Sequence, residues 1–484
     1  MAYEDLRTYL EALEREGLFH WVENEVDPAW EISSLSRMIF RGYREEARFG
    51  LGFRNIKDRP GGRMVTGVTA ISSRQIGVAV ETAPEPGAIF ERVNRGIQNP
   101  IPPVMADSGP CQEVILHGDD ADLTRFPAPI WTPEKDGGPY LTPLWVTKDP
   151  ETGVRDIGIR RCQVKGPRTT GIQFSAPDRY GAVQWAKWKA RGEPMPAALF
   201  SGVDPVITLV GPGRFGMDEL NVAGGIRGEP IRLVKCKTVD LEVPASAEFV
   251  AEGEITTDRV EPEGPFGEFT GYMAGDRECP VFHVRCITHR RDPILVGLIS
   301  QFPPNESTVL KRHFLETGVH RHLSATLNIA GLADLHMPES GGSAAALWMS
   351  IRKVYRGQVE QLMMGALAFC GMSYFKWIVV VDDDIDIRDP FMREWVMNYR
   401  VRPDKDIRIL ENMGALELDP SSDEPGRGDS PPTGAKALID ATKKWNYPDV
   451  SFPPRHYLEK IREDWAKYEL PPLGEVNLPK GLAG

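Results

Sequence analysis

The chain is missing several signatures, and each gap removes a class of function. Its six cysteines (Cys111, Cys162, Cys236, Cys279, Cys286 and Cys370) form no C-x-x-C pair, which argues against structural zinc and fits free thiols in a reducing compartment. No apolar run approaches the ~20 residues of a membrane span. The opening "MAYEDLRTYLEALEREG" is acidic where a signal peptide needs a basic and then an apolar stretch, so the cytoplasm is the expected location and no membrane partner is expected. Positive charge is not in excess either: 57 Lys+Arg against 69 Asp+Glu give a net charge of -12, which argues against nucleic acid and points to small-molecule partners. Of nine histidines only His320 and His322 lie close together, and neither has the H-E-x-x-H context of a zinc hydrolase, so both read as polar helix positions. "GPGRFG" (211–216) is too loose for a dinucleotide or phosphate loop and reads as a turn. "VVVDDDIDI" brings Asp382, Asp383, Asp384 and Asp386 together without the glycine and closing glutamate of an EF-hand, so it reads as a polar strand end. No internal repeat is present.

What remains is an ordinary globular composition, 41% apolar and 26% charged over 484 residues, enough for two or three domains with substantial cores. Leu6, Tyr9, Leu10 and Leu13 recur at helical spacing up to Gly17, and "LFHWVENEV" then reads as a strand. The proline-rich "IQNPIPPVMADSGP" closes a first α/β region at about residue 110. From 111 to 305, "LTPLWVTKD", "VRDIGIRRCQVKG", "DPVITLVG", "GEPIRLVKC", "VPASAEFVAEGEI" and "CPVFHVRCITHR" follow one another between turn signals and predict a β-rich barrel or sandwich. From 306 to 484 the pattern turns helical in "ESTVLKRHFLETGVHRHLSATL" and "GSAAALWMSIRKVYRGQVEQLMMGALAFCG". "FKWIVVVDDDIDI" is apolar enough for a buried parallel strand, "DPSSDEPGRGDSPPTG" (419–434) is a loop, and "PRHYLEKIREDWAKYEL" is a last helix. The expected architecture is therefore an α+β and α/β multidomain chain, with a β-rich domain between two α/β domains.

Two segments carry chemistry. "EGPFGEFTGY" (263–272) sets Glu263 and Glu268 five positions apart around Gly264, Pro265 and Gly267, so a turn has to bring them together. Such a pair is either a solvated surface turn or a site in which each carboxyl raises the other's pKa. "RDIGIRRCQVKG" offers Asp156, Arg160 and Arg161. Arginine is the natural clamp for a carboxylate, although on this segment alone a surface strand of alternating charge is the slightly better reading. Strict alternation puts Asp156 and Arg161 on opposite faces, and a shared site then calls for a bulge, with Gly158 as its candidate. A glycosidase with two carboxylates also fits the glutamate pair but leaves Arg161 unexplained.

The opening "LRTYLEALEREG", "VDPAWEISSLSR", the run "PPVMADSGPCQEVILHGDDADLTRFPAPIWTPEKDGGPYLT", "IGIRRCQVKGPRTTGIQF", "RGEPMPAALFSG", "VPASAEFVAEGEI", "EGPFGEFTGY", "FKWIVVVDDDIDI" and "IDATKK" together resemble the UbiD-type decarboxylases, relatives of 4-hydroxy-3-polyprenylbenzoate and ferulic acid decarboxylases, along nearly the whole chain. The resemblance implies a central split-barrel flavin domain (111–305) between an N-terminal α/β domain (1–110) and a C-terminal α/β domain (306–484) that mediates homo-oligomers, dimer or hexamer, and hinges over the site. It implies prenylated FMN, supplied by a flavin prenyltransferase, and reversible non-oxidative decarboxylation of an aromatic, heteroaromatic or α,β-unsaturated acid to carbon dioxide. Such chemistry needs an organic electron sink, because no side chain delocalises the charge left on an sp2 carbon.

Carried over by position, the family's catalytic triad falls on Arg161, Glu263 and Glu268: Glu268 as proton donor, Arg161 orienting the substrate carboxylate, and Glu263 held ionised by Arg161, with Arg160 pointing elsewhere. The cofactor contacts fall on Asp156, Ile159, Arg161, Ile172, Gln173, Glu219 and Lys376, the last as a phosphate partner. The metal ligands, usually asparagine, histidine and glutamate, fall on Asp156, Gln173 and Glu219. That all-oxygen set suits Mn2+ or Mg2+, with K+ nearby. The resemblance also leaves room for a non-catalytic or cofactor-handling subunit of a multi-subunit carboxylase.

Overall fold

The computed structural model describes residues 3–174, 180–213, 215–369, 374–416, 418–422 and 432–474; Arg214, Cys370 and most of the 419–434 loop lie outside them. The chain divides into two compact units, Met1–His313 and Phe314–Gly484.

The first unit opens with helix Leu6–Arg15, where Asp5 and Thr8 form a capping box and the predicted Leu6, Tyr9, Leu10 and Leu13 are buried. Strands Phe19–Val22, Gly50–Phe53 and Arg63–Thr66 make a sheet that Ile294–Gly297 joins in parallel. Beyond that edge the buried Glu306 accepts N–H bonds from Gly67, Thr69 and Ile299, each at 3.1 Å, and ties the strand ends to its own helix, Glu306–Arg321.

Nine strands form the central sheet: β1 (Val114–His117), β2 (Tyr140–Leu141), β3 (Leu144–Lys148), β4 (Arg155–Ile159), β5 (Cys162–Gly166), β6 (Thr169–Gly171), β7 (Met195–Ser201), β8 (Phe249–Glu263) and β9 (Arg277–His289). Their order is β2-β5-β6-β9-β8-β7-β3-β4, with β1 also on β9. All of these pairings are antiparallel. β4 and β5 stand six places apart in this order, which would be roughly 29 Å in a flat sheet. Only Arg160 and Arg161 join them, and the three Cα steps from Ile159 to Cys162 reach about 11 Å at most. The sheet must therefore curl strongly enough to bring the end of β4 back toward the start of β5, giving a half-barrel. Trp145, Phe200, Phe249 and Phe282 are buried in it.

Two sequence expectations fail in instructive ways. "DPVITLVG" is a helix, Pro205–Val210, because Asp204 caps it by accepting from the Val206 N–H at 2.8 Å and Pro205 sits where a first helical turn has no N–H to lose. No bulge forms at Gly158 either: β3 and β4 pair in unbroken register from Leu144↔Ile159 to Lys148↔Arg155. The chain instead leaves the strand at Arg160, and that break lets the two arginines diverge.

The second unit is a five-stranded sheet in the order Leu332–His336, Ala346–Ile351, Trp377–Asp382, Thr433–Asp440, Ile407–Gly414. Its central three strands are mutually parallel and its edges antiparallel. Trp377–Asp382 is the buried parallel strand expected. Ala346–Ile351 overturns part of the helical reading of "GSAAALWMSIRKVYRGQ": a six-residue apolar run buried on both faces carries no periodicity that separates strand from helix. Alternation assigns the faces, Ile378, Val380 and Leu438 packing with helix Gln358–Phe369, and Val379, Val381 and Ile439 with helix Pro390–Arg400. The aspartate cluster is a charge-matched strand end. Arg400, itself buried, makes two 2.8 Å bonds to Asp384, and Lys443 Nζ reaches Asp384 at 2.7 Å. Lys353 meets Asp382 and Arg352 meets Asp383.

Candidate active site

The site grows from two places in the first unit, the Arg160–Arg161 link across the barrel seam and the turn that ends β8. Glu263 is the last residue of β8, and Glu268 follows the two-residue strand Phe266–Gly267. The backbone between them folds tightly: Gly264 has φ +130°, a conformation side chains disfavour. After the turn, the Glu268 N–H donates to the Tyr272 carbonyl, and the Gly271 N–H donates back to the Glu268 carbonyl, both at 2.9 Å. The turn thus closes on itself around the second glutamate.

Arg161 lies between the two carboxylates. Its Nε donates to Glu263 Oε1 at 3.4 Å and its Nη1 to Glu268 Oε1, while its guanidinium sits 4.7 Å from the centre of the Phe266 ring. The three side chains are 8%, 0% and 13% exposed, in the order Arg161, Glu263, Glu268. Two polar atoms here are buried and have no hydrogen-bond partner among the described residues, Arg161 Nη2 and Glu263 Oε2. Space around Glu263 is tight, since a Cβ on Gly171 would stand 2.0 Å from that same Oε2. Burial pushes the Glu263 carboxyl upward, and the Arg161 guanidinium, which pulls it down, does not offset this. Burial and pairing with Arg161 therefore pull the Glu263 carboxyl in opposite directions, burial being the larger of the two. Burial likewise lowers Arg161, against the pull of Glu263.

Arg160 turns the other way, as expected. Its Nη2 meets Asp156 Oδ2, its guanidinium lies 5.7 Å from the centre of the Phe174 ring, and its Nη1 is buried without a partner. Asp156 is buried on β4. Glu219, buried in the first turn of helix Glu219–Arg227, accepts from the Ile157 N–H at 3.2 Å. Burial and the neighbouring Asp156 push the Glu219 carboxyl up to about 8. A cation would favour the ionised form of the buried Glu219, although Asp156 is already met by Arg160 and among the described residues no three His, Cys, Asp or Glu side chains form a metal-ligating group. Gln173, the third expected ligand, lies half-buried just after β6, and Ile172 beside it is buried. Ile159 lines a small cavity with Thr142, Pro143, Phe200 and Leu298. Lys376 belongs to the second unit, where its Nζ bonds Asp419 at 3.0 Å and Ser421.

Sequence reasoning missed the strip that braces the turn. The Gly137 N–H donates to the Pro265 carbonyl at 2.8 Å, the Gly267 N–H donates to Asp136 Oδ1 at 3.1 Å, and the Gln163 amide donates to the Gly137 carbonyl at 2.8 Å. The glycine pair in "KDGGP" was the available signal. A Cβ on Gly137 would fall 1.7 Å from the Gly264 carbonyl oxygen, so only glycine permits this approach.

Comparison with known proteins bears on what such a site does. Residues 103–303 match the 3-octaprenyl-4-hydroxybenzoate carboxy-lyase Rift-related domain (UbiD), and residues 314–441 match the C-terminal domain of the same enzymes. An uncharacterised protein of Archaeoglobus fulgidus is 32% identical over 93% of this chain and 95% of its own. The structure is similar to that of the UbiD-class enzyme HmfF from Pelotomaculum thermopropionicum in complex with FMN (TM-score 0.82, 31% identity, covering 96% of this chain and 100% of that one). An evolved dimeric form of HmfF has been solved in complex with prFMN. The vanillic acid decarboxylase of Sedimentibacter hydroxybenzoicus is similar to the same degree in fold (TM-score 0.82, 28% identity, covering 96% of this chain and 100% of that one).

Proposed function

The chain belongs to the UbiD family of carboxy-lyases, and from that premise we propose that it is a reversible, prenylated-FMN-dependent decarboxylase of an aromatic, heteroaromatic or α,β-unsaturated carboxylic acid. One observation carries the reading: Arg161 bridges Glu263 and Glu268 at a buried site, and among the described residues Arg161 Nη2 and Glu263 Oε2 have no partner there. A buried guanidinium N–H left over after two carboxylates is what a substrate carboxylate would use.

When bound, the prenylated flavin supplies the electron sink for the bond pair left by carbon dioxide. Arg161 orients the substrate carboxylate so that the C–C bond breaks as carbon dioxide leaves. Glu268, the more exposed of the two glutamates, gives its proton to that carbon, and a C–H bond replaces the C–C bond. Glu263 balances Arg161. Asp156, Glu219 and Gln173 would hold Mn2+ or Mg2+ for the cofactor phosphate, a cation favouring the ionised form of the buried Glu219. K+ nearby, Lys376 as a phosphate partner, the three-domain division at 110 and 305, and a dimer or hexamer complete the proposal.

The test is the absorbance spectrum and intact cofactor mass of protein co-expressed with a flavin prenyltransferase, followed by screening of aromatic acids for carbon dioxide release. A bound species heavier than FMN by a prenyl unit, with release from at least one acid, is the expected result. Protein that stays empty with manganese, magnesium and potassium supplied would overturn the reading in favour of a non-catalytic subunit.

A further inference from the structure

We propose that Asp136 is the positioning residue for Glu268, an inference that rests on the proton-donor role above. Asp136 accepts the N–H of Gly267, the residue immediately before Glu268, at 3.1 Å through Oδ1. Its other oxygen accepts the Thr132 N–H at 2.7 Å, so the carboxylate is itself held in place. One residue on, the Gly137 N–H binds the Pro265 carbonyl at 2.8 Å, and the two contacts clip the turn between Glu263 and Glu268 to a single strip of chain. A Cβ at position 267 would stand 2.5 Å from Thr132 Oγ1, so any larger residue there would have to displace Thr132. Thr132 Oγ1 in turn accepts from Gln301 Nε2 at 2.8 Å.

With its entry pinned by Asp136 and its exit closed by the Tyr272 and Gly271 bonds, Glu268 keeps little freedom beyond its side-chain torsions. The backbone therefore sets where its carboxyl meets Arg161 and the substrate carbon. Proton transfer in a pre-arranged site is sensitive to displacements of about 1 Å, which can cost on the order of a hundredfold in rate. Asp136 reaches Glu268 only through the Gly267 peptide, so its effect belongs to turnover rather than to substrate binding.

Three readings of the full-length protein test this, with Asp136→Ala and the isosteric Asp136→Asn, which keeps one acceptor oxygen. Hydrogen exchange by mass spectrometry should show the 263–272 segment exchanging at least tenfold faster in Asp136→Ala and less so in Asp136→Asn. Infrared titration of the carboxyl band that Glu268→Gln removes should move by about one pH unit, a tenfold change in its protonation equilibrium. In cofactor-loaded enzyme acting on the acid found by the screen, kcat should fall about a hundredfold with KM within about threefold, and Asp136→Asn should recover part of the loss. Where Asp136→Ala folds poorly, Asp136→Asn carries the same readings. Unchanged exchange, or faster exchange with unmoved titration and kcat, overturns the proposal. If the wild type releases no carbon dioxide from any acid, the functional reading falls, and exchange and titration, which need neither cofactor nor substrate, still decide the role of Asp136.

Discussion

Arg161 holds two carboxylates and still has a buried N–H to spare, which separates a working site from a completed ion pair. Removing the proton but keeping the shape should therefore be informative: Glu268→Gln is expected to bind cofactor normally and lose turnover by about 10²–10⁴, the usual worth of a general acid, as read by cofactor mass and carbon dioxide release on one preparation. Arg161→Lys keeps the charge but loses the fork, and should raise KM and lower kcat together, checked by steady-state kinetics. At this scale the sequence was readable through its motifs: the family resemblance carries Arg161, Glu263 and Glu268 to one site, and Arg161 contacts both glutamates, 102 and 107 residues away. It was silent on how burial divides the charge, because the Glu263 carboxyl is raised by what surrounds it and not by its neighbours in the chain.

Elements matter at the site through closeness of approach. Gly171 ends β6 against Glu263, and a methyl at that position has nowhere to go. Gly171→Ala should displace Glu263, with a loss of activity that exceeds its effect on the melting temperature. Gly137→Ala meets backbone instead of a side chain, so about 1–3 kcal/mol of destabilisation is expected, measured by urea unfolding. Helix Leu6–Arg15 and strand Trp377–Asp382 were legible because one has a single apolar stripe and the other an uninterrupted β-branched run. Ala346–Ile351 and Pro205–Val210 were misread for the opposite reason: each is a short apolar segment buried all round, and its state is set by neighbours in one case and by the Asp204 cap in the other. The brace at Asp136 was invisible because no motif or periodicity links it to Gly267, 131 residues away.

At the scale of the whole molecule, buried charge pairs tie each unit together. In the second unit, Arg400→Met would leave Asp384 and Asp382 with weaker partners, and a loss of about 3–5 kcal/mol is expected by urea denaturation. In the first, burial alone would raise the Glu45 carboxyl, but Arg312, at 2.6 and 3.0 Å, and the Ser73 hydroxyl hold it well below its ordinary 4.5. A depressed folded-state pKa contributes stability that is complete above about 4.5 and lost as the pH falls further. Glu45→Gln should accordingly be less stable at pH 7 and show a flatter decline below pH 4.5 than the wild type, followed by urea midpoints across pH. The half-barrel could be anticipated as β-rich from its strand runs. Its closure could not, because which strands neighbour each other depends on pairings such as β8 with β9 that no local pattern encodes.

The two-residue seam of that barrel also has a bearing on how the chain can change over evolution. Arg160 and Arg161 are consecutive and face opposite ways, one toward Asp156 and one toward the glutamates, so the two-residue length of the link is what sends each to its own destination. A substitution at either position damages one destination. Deleting a residue between Ile159 and Cys162 would leave one arginine for two destinations and shorten the link between β4 and β5, and inserting one would shift where each arginine leaves the chain, so either change disturbs both contacts. The seam should therefore accept point changes more readily than any change of length.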